Sequence, residues 1–435
     1  MSNQGTSPEL TSLIKKLDSL EFKYYALCFA LLTSLILAHY NLMYFAKCVI
    51  VFFLLIVNLP IFIGLIINTR NTVKSFKDSP VTIKRVKKFK NLKRGYYSFL
   101  IILTLFVLSF FNEVLINNKA LLVSYKGRIS APAFKSLLKN IPLFGRAFND
   151  YYSSKGFGLE KGAKLNYRML KKKYAAEGEG NWVLMPPYPY GPYESLLDEL
   201  EGEPPTAPEA SHWMGTDDRG RDVFARLIYG FRISILFALF VVSMSYAIGI
   251  TIGACLGYFG GKVDILGQRI VEIWSSMPFL YTIMIVASIW EPNFMMLAFI
   301  LAGFRWMGMS YYVRGEFLRE KSRDYVSAAI SIGADDKTII FRHILPNALT
   351  PVISFAPFAV VASISSLVSL DFLGFGLPAP TASWGELMGQ GLANLTSWWL
   401  VLAPFGALFG TLLLISFIGE AVREAFDPKQ YARLR

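Results

Sequence analysis

At 435 residues, 54% hydrophobic and 17% charged, the chain is too apolar for a soluble globular protein, in which about a quarter of residues are charged, and it reads as a membrane protein. Its formal charge of +13 raises nucleic acid as a partner, but the excess is local: Arg70 to Arg94 holds ten Lys and Arg against one acid, Asp78, which is nine of the thirteen net charges. That stretch lies between apolar runs, where basic residues mark a cytoplasmic, lipid-facing loop, so nucleic acid is set aside.

Crossing a ~30 Å hydrocarbon core at ~1.5 Å per residue takes roughly 20 apolar residues. Eight runs qualify, near residues 24–41, 48–68, 96–117, 233–258, 268–290, 293–313, 350–373 and 397–419. The first lacks the cleavage site of a signal peptide and is expected to stay attached. Lys15, Lys16 and Lys23 precede it, and the basic stretch follows the second run, which places both the N-terminus and residues 70–95 inside. Residues 1–95 thus form an N-terminal extension of two spans and a basic cytoplasmic linker. Asn58, Leu59 and Pro60 lie in the middle of its second span. The extension is read as a peripheral hairpin or as a docking site for an accessory subunit.

Residues 96–117 form the next span, and 118–232 an extracytoplasmic insert. The Pro and Tyr residues at 186–190 suggest an ordered, strand-poor insert whose fold the sequence does not yield. It closes on the block Gly215 to Ser234. There Val223, Leu227 and Ile228 recur at helical spacing while Arg219, Arg221, Asp222, Arg226 and Arg232 stay polar, the pattern of an amphipathic helix approaching a membrane. Asp217 or Asp218 is a credible N-cap, and Arg221, Asp222 and Arg226 are placed to pair locally. This helix reads either as an interfacial anchor or as a substrate contact.

Residues 233–420 hold the remaining spans. Alternation puts 259–267 and 314–349 inside, 374–396 outside, and the tail 421–435, with Arg423, Lys429, Arg433 and Arg435, inside. Within 314–349, the segment Asp324 to Asn347 reads as two short helices about a turn. Gly333 supplies a left-handed C-cap, Asp335 or Asp336 caps the second helix, and that helix stops before Pro346. Ala328 and Ala329 keep one patch small enough for another protein to approach. The hairpin is a docking knob or a solvated loop. Asp371, an ionisable group near the outer end of a span, is a candidate gate or substrate contact. Its other role is local capping of the helix before Gly374. Pro278, Pro351 and Pro357 are read as helix-shaping residues. Cys28, Cys48 and Cys255 all lie in apolar segments, so no disulfide framework is expected. His39, His212 and His343 lack metal-ligand spacing, and no metal site is readable.

The hairpin resembles the coupling loop of binding-protein-dependent ABC importer permeases. That pattern runs Glu-Ala-Ala, three residues, Gly, about nine residues, then Ile and an apolar-Pro ending. Ala328, Ala329, Gly333, Ile344, Leu345, Pro346 and Asn347 stand in register, and Ser327 replaces the usual Glu. The resemblance implies that this loop seats in a cleft of an ATPase subunit. The block with Gly215, Thr216, Asp217, Arg221, Asp222 and Arg226 resembles the dipeptide, oligopeptide and nickel branch of that family. So do Gly257, Tyr258, Gly260, Gly261, Asp264, Arg269, Pro278, Trp306 and Arg314, the run Ser369 to Pro378, Ser383 to Glu386, and Gly419 to Pro428. Glu272 keeps a carboxylate to pair with Arg269, whereas Tyr311 replaces a common Arg. The wording from Leu370 to Gly376 is similar to an oligopeptide subgroup associated with uptake of peptide antibiotics. The resemblance covers about residue 96 onward.

It implies an all-α polytopic membrane protein with the type I ABC importer transmembrane fold. It further implies a peptide permease of the bacterial inner membrane with both termini cytoplasmic. The implied partners are a second related permease, two ATPase domains, an extracytoplasmic substrate-binding protein and membrane lipids. No Gly-x-x-x-x-Gly-Lys-Ser/Thr loop occurs, so the chain is expected to bind no cofactor and to hydrolyse nothing, with ATP and Mg held by partner subunits. Other readings are the same role for nickel, an opine, an oligosaccharide or another small solute, a stand-alone secondary transporter or channel, and a membrane-anchored scaffold centred on the insert.

Overall fold

The computed structural model describes residues 80–134, 157, 165–178 and 180–426. The expected spans at 24–41 and 48–68, Asn58 to Pro60 and the basic tail beyond Phe426 lie outside the described residues. Of the eight expected spans, six fall on described residues. Four continuous helices there are long and apolar enough to cross a membrane, and two bent helix pairs raise the number to six if each pair counts as one span.

The first pair is α1 (Pro80–Asn91) and α2 (Lys93–Ser109), which meet at a 93° bend. Residues expected as a basic linker are therefore helical from Pro80. α1 lies against the end of the last helix, where Lys88 Nζ donates to the Glu424 carbonyl at 2.6 Å and the Arg85 guanidinium sits 4.8 Å from the Phe426 ring centroid. Cations belong there, because the last carbonyls of a helix lack internal partners and carry its negative dipole end. A short turn of helix, α3 (Asn112–Leu115), follows α2.

Among the described residues, the insert contains three short strands, β1 (Leu122–Tyr125), β2 (Arg128–Ser130) and β3 (Trp182–Leu184), in an antiparallel sheet of order β2-β1-β3. Lys126 and Gly127 both have positive φ, 48° and 75°, the two-residue turn whose twist matches a hairpin. α4 (Tyr167–Glu177) packs on this sheet through Tyr167, Leu170 and Tyr174 against Ala120, Val123 and Val183. Asn166 caps it by accepting from Arg168 N and Met169 N, and Gly178 ends it at φ +67°.

The core begins with α5 (Val223–Phe259), 37 residues, about 55 Å at 1.5 Å per residue. The block expected to form its own amphipathic helix is instead the first turns of this span. α6 (Gly261–Ser275) and α7 (Phe279–Ile289) form the second bent pair, broken by 66° at Pro278. α8 (Phe294–Lys321) packs along α5. Gly249, Gly253 and Gly257 make this possible: a Cβ on each would stand 2.5–2.7 Å from a backbone carbonyl oxygen of α8, those of Trp306, Ser310 and Arg314. Small residues every fourth position allow such backbone approach between membrane helices.

Next come α9 (Asp324–Ser331), the single turn α10 (Asp336–Thr338), a π-helical stretch Ile339–Ile344 and α11 (Leu345–Phe372). α12 (Trp384–Ala393) and α13 (Trp399–Phe426) complete the core. One apolar cluster joins Val223, Leu227 and Phe231 of α5 to Ile364 of α11, Trp384 of α12 and Trp399 of α13. A second, toward the other end of α5, holds the hairpin.

Candidate functional site

The candidate site residues fall at opposite ends of the core. In the hairpin, Val326, Ala329, Ile339, Ile344 and Leu345 are buried with Ala254 and Tyr258 of α5 and Met309, Val313 and Phe317 of α8. Ser327, Ala328, Gly333 and Asn347 are exposed, and Pro346 is half-buried. Gly333 has φ +81° with open space around its missing Cβ, and its neighbour Ile332 is 85% exposed. Asp335 occupies the N-cap position of α10. The second helix does not stop before Pro346. The π-helical stretch shifts the hydrogen-bond register, and Pro346 falls in the first turn of α11, where a missing N–H is least missed. One helical path therefore runs from Asp336 to Phe372 and links the hairpin continuously to a span.

Polar contacts fasten the base of the hairpin. The Tyr258 hydroxyl donates to Asp336 Oδ1 at 2.6 Å, and Lys321 Nζ lies 5.1 Å from the Tyr258 ring centroid. Asn347 Nδ2 donates to the His343 carbonyl and to the Tyr325 hydroxyl, which donates to Glu320. Arg314 of α8 holds Asp264 of α6 bidentately, and Arg269 pairs with Glu272 on the surface.

At the other end, the residues from Gly215 to Arg226 form a turn and a cap. Gly215, at φ +69°, sits where a Cβ would stand 2.5 Å from the Thr206 carbonyl oxygen. Thr216 bridges to Asp222, and its carbonyl accepts from Trp399 Nε1 at 3.1 Å. Asp222, not Asp217 or Asp218, caps α5, accepting from Ala225 N at 2.7 Å. Asp217 folds the turn instead, since its Oδ1 accepts from Arg219 N and Arg221 N. The other oxygen of Asp222 accepts from Tyr188 at 2.7 Å and stands 2.9 Å from His212 Nδ1. Burial, with Asp222 beside it, pushes the Tyr188 phenol up, so it remains a neutral donor.

The arginines reach across the chain. Arg221 Nε bonds Asp217 Oδ2 at 2.7 Å and its Nη2 bonds Glu386 Oε1 at 3.0 Å. Arg226, fully buried, pairs with the other oxygen of Glu386, and its Nε is 3.5 Å from Asp217 Oδ2. It also donates to the carbonyls of Pro192, Pro380 and Thr381. Asp371 joins this region. Its Oδ1 accepts from Leu377 N at 2.7 Å, its Oδ2 accepts from the Ser383 hydroxyl, and the residue is 9% exposed. Ser383 caps α12 by accepting from Glu386 N.

Two sequence blocks some 160 residues apart thus close on one buried ion-pair cluster, with Glu386 as its bridge. Glu386 is not among the candidates drawn from the sequence, and only its place in a recognisable block pointed to it. Arg168 is another addition. Its Nε and Nη2 hold both oxygens of Glu199, its Nη1 reaches Glu194 and the Pro189 carbonyl, and the guanidinium carbon lies 4.8 Å from the Tyr190 ring centroid. Hydrogen bonding from Arg168 holds the Glu199 carboxyl below the ordinary range.

Among the described residues, four to six helices or bent helix pairs long and apolar enough to cross a membrane, with a hairpin presented at one end and a buried polar clamp at the other, have the architecture of a polytopic membrane protein. Residues 249–430 match the family described as binding-protein-dependent transport system inner membrane component. An inner membrane ABC transporter permease protein YejE of Escherichia coli (strain K12) is 43% identical over 353 residues, 81% of this chain and 98% of that protein. A peptidoglycan transport system permease protein YejE of Agrobacterium fabrum is 40% identical over 379 residues, 82% and 95% of the two chains. An oligopeptide transport system permease protein OppC of Haemophilus influenzae is 38% identical over 238 residues, 54% and 76%. The chain belongs to this family of ABC importer permeases. It is the transmembrane subunit of such an importer, a multi-pass inner-membrane protein that works with ATPase and permease partners. Its described residues are mainly helical as expected, with four to six spans, but the insert adds a three-stranded sheet to the expected all-α fold. Among solved structures, the methionine ABC transporter MetNI in inward-facing conformations aligns with a TM-score of 0.38 at 15% identity, over 46% of this chain and 96% of that one.

Proposed function

We propose that this chain is the pore-forming subunit of a bacterial importer for peptides, coupled to partner ATPases through residues 327–347. The observation that carries the coupling role is the contrast within the hairpin. Its base is buried against α5 and α8, while Ile330, Ile332 and Gly333 at its tip project into open space. Exposed apolar side chains on a rigid knob suit a cleft in another protein. Peptide cargo is supported by relatives named as oligopeptide and dipeptide permeases.

In this reading, closure of the ATPases around ATP and Mg moves the hairpin and α11 as a rigid lever and switches the pore between inward-open and outward-open states. This chain itself hydrolyses nothing. A related permease completes the pore and a binding protein delivers cargo to the end of the core carrying the Arg221, Arg226 and Glu386 cluster. Both termini and the hairpin face the cytoplasm. Asp371, engaged through both oxygens within the chain, positions α12 rather than touching cargo.

Gly333→Trp in the assembled transporter tests the coupling. The expected result is loss of transport with ATP hydrolysis continuing and membrane abundance at the wild-type level. Normal transport by that variant at normal abundance would refute the docking role.

A further inference from the structure

Arg305 lies within a turn of the midpoint of the 28-residue α8, at the depth where a charge in a spanning helix is most expensive and is by default a functional candidate. Among the described residues it forms no ion pair. One guanidinium nitrogen, Nη2, donates to the Ala362 carbonyl at 2.8 Å and to Ser366 Oγ at 2.7 Å, both on α11. Its Nε is buried without a partner, and so is the Tyr246 hydroxyl of α5. Both side chains line a cavity of about 320 Å³, shared with Ser245, Tyr312, Phe355 and Phe358.

Each of these facts restricts the occupant. A guanidinium fixed by two neutral acceptors keeps its positive charge uncompensated among the described residues, so the counter-charge comes from outside them. A planar fork with a free Nε is matched by a carboxylate rather than by a spherical ion. An unpartnered hydroxyl on the facing helix supplies a further donor. The aromatic walls suit an apolar side chain, and the volume is at the small end for ligand sites, enough for one end of a chain molecule. We infer that Arg305, assisted by Tyr246, binds the C-terminal carboxylate of the transported peptide during its passage, an assignment that rests on the peptide-import reading above. The site lies between the two proposed faces of the transporter, about 17 Å along α8 from Phe294 and about 24 Å from Lys321 at 1.5 Å per residue. There a modest, reversible carboxylate contact favours entry into the pore over return.

The complete transporter, with its permease and ATPase partners and its binding protein, is reconstituted in liposomes. Uptake is measured for a peptide with a free C-terminal carboxylate and for its C-terminal amide. Because the binding protein is the same throughout, a change in the acid-to-amide ratio between wild type and variant reports on this chain. Wild type takes up the acid faster. Arg305→Gln lowers the acid-to-amide ratio roughly tenfold, the worth of a charge-assisted hydrogen bond. Arg305→Lys keeps part of the preference because it retains the charge without the fork, and Tyr246→Phe lowers the ratio about two- to threefold. A wild-type ratio retained in Arg305→Gln overturns the inference. So does equal wild-type uptake of both peptides. So does a parallel fall of both peptides with loss of the second permease from the purified complex, which would make the counter-charge a partner's carboxylate. If wild type transports neither peptide, the peptide reading itself fails, and the failure shows in the control rather than in the variants.

Discussion

The two ends of the helical core are built on opposite principles. At the end holding the insert, charges are buried and paired in closed sets: Asp217, Arg221, Arg226 and Glu386 form one, and Asp222, Tyr188 and His212 another. At the hairpin end the interior is apolar, polar bonds are few and peripheral, and the tip offers Ile330 and Ile332 to whatever lies beyond. A buried ion-pair network adds little net stability, yet it penalises every arrangement that separates its members. It therefore suits a frame that must hold one geometry. An apolar base with an open tip holds its own shape and leaves its outer surface for a partner. The continuous helical path from Asp336 through α11 to Asp371 connects the two ends.

The sharpest way to break this contrast is to open the clamp. Glu386→Gln keeps the volume and removes the only carboxylate that pairs with Arg226 through its Nη groups among the described residues. A fully buried guanidinium then depends on an Asp217 oxygen 3.5 Å from its Nε. Loss of one partner of a buried pair is worth roughly 3–5 kcal/mol. The expected outcome is a large fall in thermal midpoint in detergent, with the detached α12 seen first in hydrogen exchange. An unchanged midpoint would mean that the cluster does not hold the frame.

A smaller effect at the same end depends on pH. Glu199 is held below the usual carboxylate value, with the hydrogen bonds from Arg168 the largest cause. A depressed folded-state value means that the stabilisation is present above the unfolded pKa of about 4.3 and fades as pH falls through the lower folded value. The insert should loosen in that acid window, read through Trp182 fluorescence. Glu199→Gln should destabilise it by no more than about 1 kcal/mol at neutral pH, because Glu199 is solvent-screened, and abolish that part of the acid transition.

How much of this was legible in the sequence follows from the same contrast. The spans that fall on described residues were readable because apolar length is a one-dimensional property, and the hairpin was readable because its turn, cap and packing residues lie within 24 consecutive positions. Even there, the end of the second helix was misplaced. A Pro ends a helix by local rules, whereas here a π-helical stretch before Pro346 absorbs it. The clamp was not readable. Arg226 and Glu386 are 160 positions apart, and nothing local says that they meet. Asp222 was passed over as the cap because two other acids stand just upstream, and only the turn built on Gly220, at φ +68°, decides among them. The triple Gly249, Gly253 and Gly257 could have been found, since small residues every fourth position on a span are a direct signal of close helix packing.

At the hairpin end, Tyr258 of α5 makes a polar contact to Asp336 in the second half of the hairpin. Tyr258→Phe removes one neutral-to-charged hydrogen bond at a partly exposed site and should lower the midpoint by the equivalent of only about 1 kcal/mol. Coupling should suffer more than stability, because the bond ties the start of the second half of the hairpin to α5. The check is the ratio of transport to ATP hydrolysis against the midpoint of the same preparation.

The smallest structural effect is expected at Ser327, where the family pattern has Glu. Ser327 is exposed on α9, and its hydroxyl is the acceptor of no capping bond, so Ser327→Glu changes nothing buried. It also lies in the first turn of that helix, where a carboxylate is favoured by the helix dipole by a few tenths of a kcal/mol. Stability should therefore move by less than about 0.5 kcal/mol in either direction. If the tip is a seat for an ATPase cleft, an added carboxylate there should alter ATPase affinity in a salt-dependent manner while leaving the frame untouched. Titration of the purified ATPase onto the variant at two salt concentrations separates the outcomes. A midpoint shift without an affinity change would place Ser327 in the fold rather than at the contact, and would remove the distinction between a closed frame and an open tip at the residue where this chain departs from its family.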